Sequence, residues 1–276
     1  MLVATMLPVT QSHARATQQE QLAQARAAQL CAEGQRLYQN GDYASAEQRF
    51  LAGITESEKN TQATELRGAC LMRLSSLQSA RKAYVDAEAN ARRAVAIFER
   101  FPVNGKLSLT TSLTVLGDVL EMEGKYSEAI EVVERAWSLE TGHHSDQAAE
   151  YRGVRFRRQL GRLYSESKQY DRAVELLKEN VSLLEKPGIT GHTEVVPALN
   201  DLASVYIAEG RLAEAEALLH RALSLSDQWP EEMTAEVLLD TLDRYGQVLQ
   251  RLGKAAQAKQ LMDRATAIRT HYGMIH

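Results

Sequence analysis

The 276-residue sequence is poor in cysteine, proline and aromatic residues, with 2 Cys, 5 Pro and 6% Phe, Trp and Tyr. Two cysteines cannot supply a four-ligand zinc site or a disulfide-rich scaffold. Five prolines and 16 glycines are too few for a turn-rich all-β protein. No apolar run approaches the roughly 20 residues of a membrane-spanning helix. The formal net charge of −4 argues against general electrostatic binding to nucleic acid.

The abundant residues are alanine, leucine, glutamate, glutamine and arginine, which favour helix. Six alanines recur at intervals of 41 to 44 residues and anchor an internal repeat. These anchors are Ala46, Ala87, Ala129, Ala173, Ala215 and Ala258. Twelve residues before each anchor stands a small residue, namely Gly34, Ser75, Gly117, Gly161, Ala203 or Gly246. Five residues before each anchor stands a turn residue, which is glycine in four repeats and Lys82 or Lys168 in the others.

This periodicity predicts two antiparallel helices in each repeat. The small residue allows the first helix to approach the second closely, and the turn residue ends the first helix in a left-handed conformation. A single pair of helices cannot cover its own apolar face, so successive pairs must stack into a solenoid.

The turns carry a resemblance to the tetratricopeptide repeat family. The segments that match its turn signature begin at Gly41 (Gly-Asp-Tyr-Ala-Ser-Ala), Gly124 (Gly-Lys-Tyr-Ser-Glu-Ala) and Gly210 (Gly-Arg-Leu-Ala-Glu-Ala). The period of about 42 residues and the segment 192–206 resemble the kinesin-light-chain type, although Thr193 and Asp201 depart from its pattern. The resemblance implies an all-α, right-handed α-solenoid of about six stacked antiparallel helix pairs. This solenoid is expected to form one domain over residues 17–270, with 271–276 frayed.

Residues 1–16 have features of a secretory leader. Leu2 to Val9 are mostly apolar, and the segment ends in the small-x-small sequence of residues 14–16. No Lys or Arg precedes the apolar stretch, which departs from a complete signal peptide. The sequence therefore predicts a leader remnant and a periplasmic or secreted protein, with a cytoplasmic location as the alternative.

Sequence motifs for catalysis are lacking, since no nucleophile, base and orienting group are spaced to meet. The sequence therefore predicts no enzyme activity, no cofactor and no metal site. His143 and His144 are adjacent in a loop, where neighbouring side chains rarely converge on one ion. Cys31 and Cys70 lie on the first helices of adjacent repeats. Buried thiols are the favoured interpretation of these two residues, and a disulfide is the alternative.

The resemblance implies that the first helix of each pair lines a concave surface on which partners bind. The candidate binding residues on this surface are Arg155, Arg158, Arg162, Asn200, Ser204, Asp118, Glu121, Asp243 and Gln247. Arg155, Arg158 and Arg162 share one helical face through their i, i+3, i+7 spacing. Asn200 matches the groove asparagine of the kinesin-light-chain type, which binds the main chain of a partner.

Two interpretations of the arginines stay open. They form an anion site for an acidic segment, since guanidinium groups suit carboxylates and phosphates. Alternatively, they pair internally with Asp118 and Glu121 on one side or with Asp201 on the other. The predicted function is a non-catalytic scaffold whose groove binds an extended, acidic segment of a protein or peptide, without nucleic acid or a membrane span. The alternatives are a regulatory sensor of a signalling peptide and a structural subunit of a cell-envelope complex.

Overall fold

The structure is a computed structural model that describes residues 7–60, 64–100, 106–142, 151–186, 192–229 and 234–273. Within these ranges it contains twelve α-helices in consecutive pairs and no strand. The chain divides into two compact units, residues 1–140 and 141–276. The all-α fold with six helix pairs is therefore confirmed, whereas one continuous superhelical domain stays a prediction.

Each unit contains three helix pairs. The first unit comprises α1 (Leu7–Gln39), α2 (Tyr43–Glu58), α3 (Thr64–Ala80), α4 (Tyr84–Phe98), α5 (Lys106–Met122) and α6 (Tyr126–Thr141). The second unit comprises α7 (Val154–Glu166), α8 (Tyr170–Leu184), α9 (His192–Glu209), α10 (Leu212–Gln228), α11 (Ala235–Arg251) and α12 (Ala255–His271). We call the first helix of each pair the A helix and the second the B helix.

Helix α1 begins at Leu7, so part of the predicted leader continues the first A helix. Residues 1–6 and 274–276 lie outside the described residues, as do His143 and His144. Whether residues 1–16 are a cleaved leader stays a prediction.

The turn within every pair has the same backbone geometry. The residue five before each anchor has a positive φ, from 62° at Lys168 to 84° at Gly210. The amide of the next residue then donates to a carbonyl five residues earlier, as Lys125 does to Leu120 at 2.9 Å. This is the Schellman arrangement, which satisfies carbonyls left over at a helix end. The predicted left-handed turn is confirmed, including at the two positions occupied by lysine.

Lys82 and Lys168 adopt the left-handed conformation at a steric cost that glycine avoids. We expect Lys168→Gly to raise the free energy of unfolding by about 1 kcal/mol in urea denaturation. The matched control is Lys178→Gly within α8, where glycine should lower stability by about 1 kcal/mol. Loss of stability in both variants would contradict the assignment of strain at Lys168.

The small residue twelve before each anchor lies where the A and B helices cross. A methyl group on Gly34 would approach the Phe50 ring to 2.8 Å, and one on Gly161 would approach Leu177 Cγ to 2.6 Å. Ser75 uses the same position to donate a hydrogen bond to the Ala87 carbonyl at 2.8 Å. The anchor alanines are buried in all six repeats. The predicted close approach of the two helices is therefore confirmed.

Cys31 and Cys70 form a disulfide that joins α1 to α3. The preference for two buried thiols was therefore wrong, because the two A helices bring the Cα atoms to 5.8 Å, a normal disulfide spacing. Both residues are at most 1% exposed within an apolar cluster that includes Phe50 and Leu74. A methyl group on Gly53 would lie 2.6 Å from Cys31 Sγ. Gly53 stands seven residues after the first anchor. At the same position four other repeats have alanine, and the disulfide explains why the first repeat has glycine instead.

Ion pairs join successive B helices inside each unit with constant spacing. An arginine six residues after an anchor pairs with an acid twelve residues after the preceding anchor. The pairs are Arg93–Glu58 and Arg135–Glu99 in the first unit, and Arg221–Glu185 and Arg264–Asp227 in the second. We call these four contacts the B-helix ion pairs. Such exposed pairs each contribute less than about 1 kcal/mol to the free energy of unfolding. Their repetition shows that neighbouring B helices are aligned in the same way within each unit.

Glu88 on α4 forms a further ion pair between neighbouring repeats of the first unit. Lys125 Nζ lies 2.7 Å from its carboxylate, and Arg92 Nε lies 2.6 Å from it. These bonds, chiefly that from Lys125, lower the pKa of Glu88 to about 2. Because the pKa is lowered, the stabilisation is present above pH 4.5 and is lost as the pH falls from there towards 2.

Candidate functional site

The A helices of the second unit carry a set of polar side chains, several of which are hydrogen-bonded between neighbouring helices. We call this surface, formed by Arg158, Arg162, Asp201, Ser204, Asp240 and Arg244, the A-helix face. It extends from α7 through α9 to α11. Helical spacing places these residues on one side of each helix, because each pair within a helix is three or four positions apart.

Arg158 pairs with Asp201 across α7 and α9. The Arg158 guanidinium donates from Nε to Asp201 Oδ2, and both side chains are partly buried. This contact is one of the two internal pairings that the sequence left open. Arg158 is therefore already neutralised, and its binding of a partner stays a prediction.

Asn200 lies almost entirely inside the fold, at 2% exposure. Its amide nitrogen donates to Asp240 Oδ2 at 3.2 Å and to Thr241 Oγ1 at 2.8 Å, both on α11. Its side-chain oxygen has no hydrogen-bond partner among the described residues. In this structure Asn200 joins two repeats, and its contact with a partner's main chain stays a prediction.

Arg244 was missed by sequence reasoning. Its Nε donates to Asp240 Oδ1 at 2.7 Å, and its Nη1 donates to Ser204 Oγ. The Ser204 hydroxyl in turn donates to the main-chain carbonyl of Asn200 at 2.7 Å, one turn earlier on α9. The i, i+4 spacing of Asp240 and Arg244 on α11 was the available signal. The sequence reasoning placed the inward position at Asp243, one residue away.

An open pocket of 240 Å³ lies on the A-helix face. Helices α7 and α9 contribute most of its lining residues, and α11 contributes Arg244. Its lining residues are Arg162, Ser165, Glu166, Asp201, Ser204, Val205, Ala208 and Arg244. Two arginines and two acids therefore line the same space, together with two hydroxyls and a small apolar surface.

The remaining candidate residues lie elsewhere. Arg155 is exposed, with its guanidinium 4.6 Å from the centroid of the Phe156 ring. Asp243 accepts a hydrogen bond from Arg269 on α12, and Gln247 is exposed on α11. Asp118 and Glu121 lie on α5 of the first unit, where Asp118 is exposed and Glu121 is partly buried.

Two segments of the chain match a known protein family. Residues 31–100 and 194–271 match models described as tetratricopeptide repeat. Together the two matches cover more than half of the sequence. The chain belongs to the tetratricopeptide repeat (TPR) family. A search of the curated proteins found no match.

Solved TPR-like structures share the fold at low sequence identity. A kinesin-light-chain-like repeat protein of Podosopora anserina has a TM-score of 0.60 at 20% identity, covering 76% of this chain and 97% of its own. PilW, a type IV pilus biogenesis factor, has a TM-score of 0.61 at 15% identity, with coverages of 87% and 92%. A Rap protein complexed with competence and sporulation factor has a TM-score of 0.53 at 12% identity, with coverages of 89% and 75%. These similarities show the fold.

Two features are lacking within the described ranges of the TPR chain. No group of three or more His, Cys, Asp and Glu residues could hold a metal ion there. None of the helices in these ranges is both long and apolar enough for a membrane span.

The Arg158–Asp201 pair gives a prediction about stability. Arg158→Ala should lower the free energy of unfolding by about 1–2 kcal/mol, because it leaves the partly buried Asp201 carboxylate without its charged donor. Arg264→Ala, which removes an exposed B-helix ion pair, should cost less than about 1 kcal/mol. Urea denaturation of both variants measures the difference. Equal stability of Arg158→Ala and the unmutated chain would show that the pair contributes nothing.

Proposed function

We propose that this TPR chain is a non-catalytic scaffold that binds an extended protein or peptide segment along the A-helix face of its second unit. The supporting observation is that charged and hydroxyl groups from three consecutive A helices surround one open pocket. A peptide main chain needs both donors and acceptors from its binding surface. Arginines, carboxylates and serines on this face supply both.

The acidic character of the partner is a narrower proposal. Arg155 and Arg162 are exposed on α7, and arginine binds carboxylates bidentately. Asp201 and Glu166 oppose a uniformly acidic segment because they line the same pocket as Arg162. We therefore expect a partner with acidic residues at particular positions, rather than one that is acidic throughout.

Blocking the pocket tests the scaffold function. Ala208 is exposed and lines the pocket, so Ala208→Trp should fill it without removing a hydrogen bond. Ala217→Trp on the neighbouring B helix is the matched control, since Ala217 is also exposed. Each chain is used to capture proteins from an extract of the source organism, followed by mass spectrometry. We expect a partner that is retained by Ala217→Trp and lost by Ala208→Trp.

A partner retained equally by both tryptophan variants would contradict the A-helix face as the binding surface. Loss from both variants would point to a binding surface that extends over the B helices, which would also contradict the proposal.

Two alternative functions would use the same surface. The first is a sensor of a signalling peptide, which is compatible with the likeness to the Rap protein. The second is an assembly subunit of a cell-envelope complex, which is compatible with the likeness to PilW. The disulfide favours the second alternative, since stable disulfides form in oxidising compartments.

For the same reason we propose a periplasmic or secreted location. Labelling of free thiols tests it, in cells that are quenched and denatured before any reduction, because both cysteines are buried in the folded chain. An unlabelled Cys31 and Cys70 pair is the expected result, and labelling of both cysteines would favour the cytoplasm instead.

A further inference from the structure

The first unit contains an open pocket of 360 Å³ that is lined by α4, α5 and α6. Its charged lining residues are Arg92 and the C-cap residue Glu99 on the α4 side, and Glu131 and Arg135 on α6. We call it the B-helix pocket, because α4 and α6 are neighbouring B helices. It shares no residue with the A-helix face, so it is a second, separate surface of the TPR chain.

The apolar part of this lining is largely buried. Leu113 and Leu116 of α5 are 1% and 3% exposed, and Val95 of α4 is 8% exposed. Val132 of α6 is partly buried, whereas Ala96 of α4 is exposed. An apolar side chain that enters the B-helix pocket therefore contacts aliphatic carbon from three helices and leaves water.

The corresponding positions between the fifth and sixth repeats hold aromatic rings. Tyr245 has the repeat position of Leu116, and His220 has the repeat position of Arg92. The two rings are in edge contact, with their centroids 6.4 Å apart, and Tyr245 is 9% exposed. Aromatic rings thus take up these positions in the second unit, whereas the smaller Leu116 side chain leaves room in the first.

Two ion pairs between the B helices limit the size of the opening. Arg92 Nη2 lies 2.7 Å from Glu128 Oε2, and Arg135 Nη1 lies 2.7 Å from Glu99 Oε1. Seven residues separate these pairs along each helix, which corresponds to about 10 Å. A whole helix with its side chains is about 10–12 Å wide, so the opening admits single side chains only.

Glu131 gives the B-helix pocket an unneutralised negative charge. It is exposed on α6 between the two ion pairs, and it forms no ion pair or hydrogen bond with the described residues. Both arginines of the lining are already paired with carboxylates. A cation on the ligand, placed beside its apolar group, therefore complements this surface.

We propose that the B-helix pocket binds a leucine-like side chain of a protein partner that carries Lys or Arg in the adjacent position. The apolar side chain enters between the two ion pairs, and the cation lies against Glu131. Adjacent residues of one polypeptide supply both groups at this short separation. This interaction goes beyond the proposed scaffold function, because it uses the other helices of the pairs and the other unit.

Three short peptides test the two parts of this recognition in an NMR titration of the full chain. They are acetyl-Ala-Leu-Lys-Ala amide, acetyl-Ala-Gln-Lys-Ala amide and acetyl-Ala-Leu-Glu-Ala amide. We expect saturable shifts of the Val95, Leu113 and Leu116 methyl resonances with the first peptide, none with the second and several-fold weaker binding of the third. Lack of a saturable shift with the first peptide, or equal affinity of the first peptide and either of the others, would overturn the proposal.

Removal of the charge on Glu131 isolates its contribution. Glu131→Gln should weaken binding of the Leu-Lys peptide several-fold, because the cation loses its partner. Glu175→Gln is the matched control, since Glu175 is exposed at the same repeat position in the second unit. It should leave the affinity unchanged. Equal losses in these two variants would indicate a general charge effect and contradict the assigned role of Glu131.

Filling the B-helix pocket from within tests its apolar part. Ala96→Leu should weaken binding of the Leu-Lys peptide about tenfold or more, because the new side chain occupies the space of the ligand. Ala96 is exposed, so the variant should fold normally. Ala52→Leu on α2 is the matched control, since Ala52 is also exposed and lies outside the lining. Unchanged affinity in Ala96→Leu would overturn the proposal.

The A-helix face and the B-helix pocket can be tested independently. Ala208→Trp alters only the second unit and should leave binding of the Leu-Lys peptide unchanged. Loss of this peptide from Ala208→Trp would place its binding site on the A-helix face and overturn the B-helix pocket.

Discussion

Removal of the Cys31–Cys70 disulfide is expected to lower the free energy of unfolding of the first unit by about 4 kcal/mol. The disulfide closes a loop with a sequence separation of 39 residues. Loop-closure entropy for this length corresponds to about 4 kcal/mol at 25 °C, because the cross-link restricts the unfolded chain. The measurement compares urea denaturation with and without a reductant that reaches the unfolded state.

The double variant Cys31→Ala/Cys70→Ala controls for effects of the reductant on the rest of the chain. It should resemble the reduced protein, and its denaturation midpoint should not depend on reductant. Equal midpoints for the oxidised and reduced forms of the unmutated chain would show that the disulfide contributes no stability.

Gly161→Ala is expected to destabilise the second unit by about 1–3 kcal/mol through overpacking. Its added methyl group would lie 2.6 to 2.8 Å from three side-chain atoms of Leu177. Leu177 is 1% exposed and has little room to move. This steric cost exceeds the gain of about 1 kcal/mol that alanine normally brings to a helix interior.

Gly246 provides the matched control, because it occupies the same repeat position in the last pair. A methyl group there would meet only Met262 Cγ at 3.3 Å and the more distant Ala258 carbonyl. Met262 is 46% exposed and flexible. Gly246→Ala should therefore stabilise the protein by up to about 1 kcal/mol. The same sign of effect in both variants would mean that contact with the B helix does not determine the cost.

The repeat architecture was predictable because it depends on residue size and backbone freedom. Gly34 and Gly161 are needed where a B-helix side chain occupies the space of a Cβ atom. Gly41 and Gly210 are needed where φ is positive. A small residue at the first position and a positive φ at the second recur in every repeat, so their spacing alone indicates helix pairs and their turns.

The polar contacts could not be predicted to the same accuracy. One residue along a helix rotates a side chain by about 100°, and this separates Asp243 from Arg244. Asp243 bonds to α12, while Arg244 reaches α9. The choice between thiols and a disulfide for Cys31 and Cys70 likewise depended on a distance of a few ångströms between two helices. Sequence spacing fixes the face of a helix but not which neighbouring side chain lies within hydrogen-bonding reach.

The B-helix ion pairs imply a rule for exchanging repeats. A repeat that is moved to a new position keeps this ion pair only if its arginine follows an acid at the matching position of the preceding repeat. Repeats 2, 3, 5 and 6 carry such an arginine, as Arg93 and Arg221 illustrate. In the sequence, the fourth repeat instead has Glu179 at the arginine position, and the third repeat has Thr141 at the acid position. A chimera that places the second or third repeat after another repeat with an acid at that position should therefore keep the ion pair, whereas the fourth repeat has no arginine with which to form it.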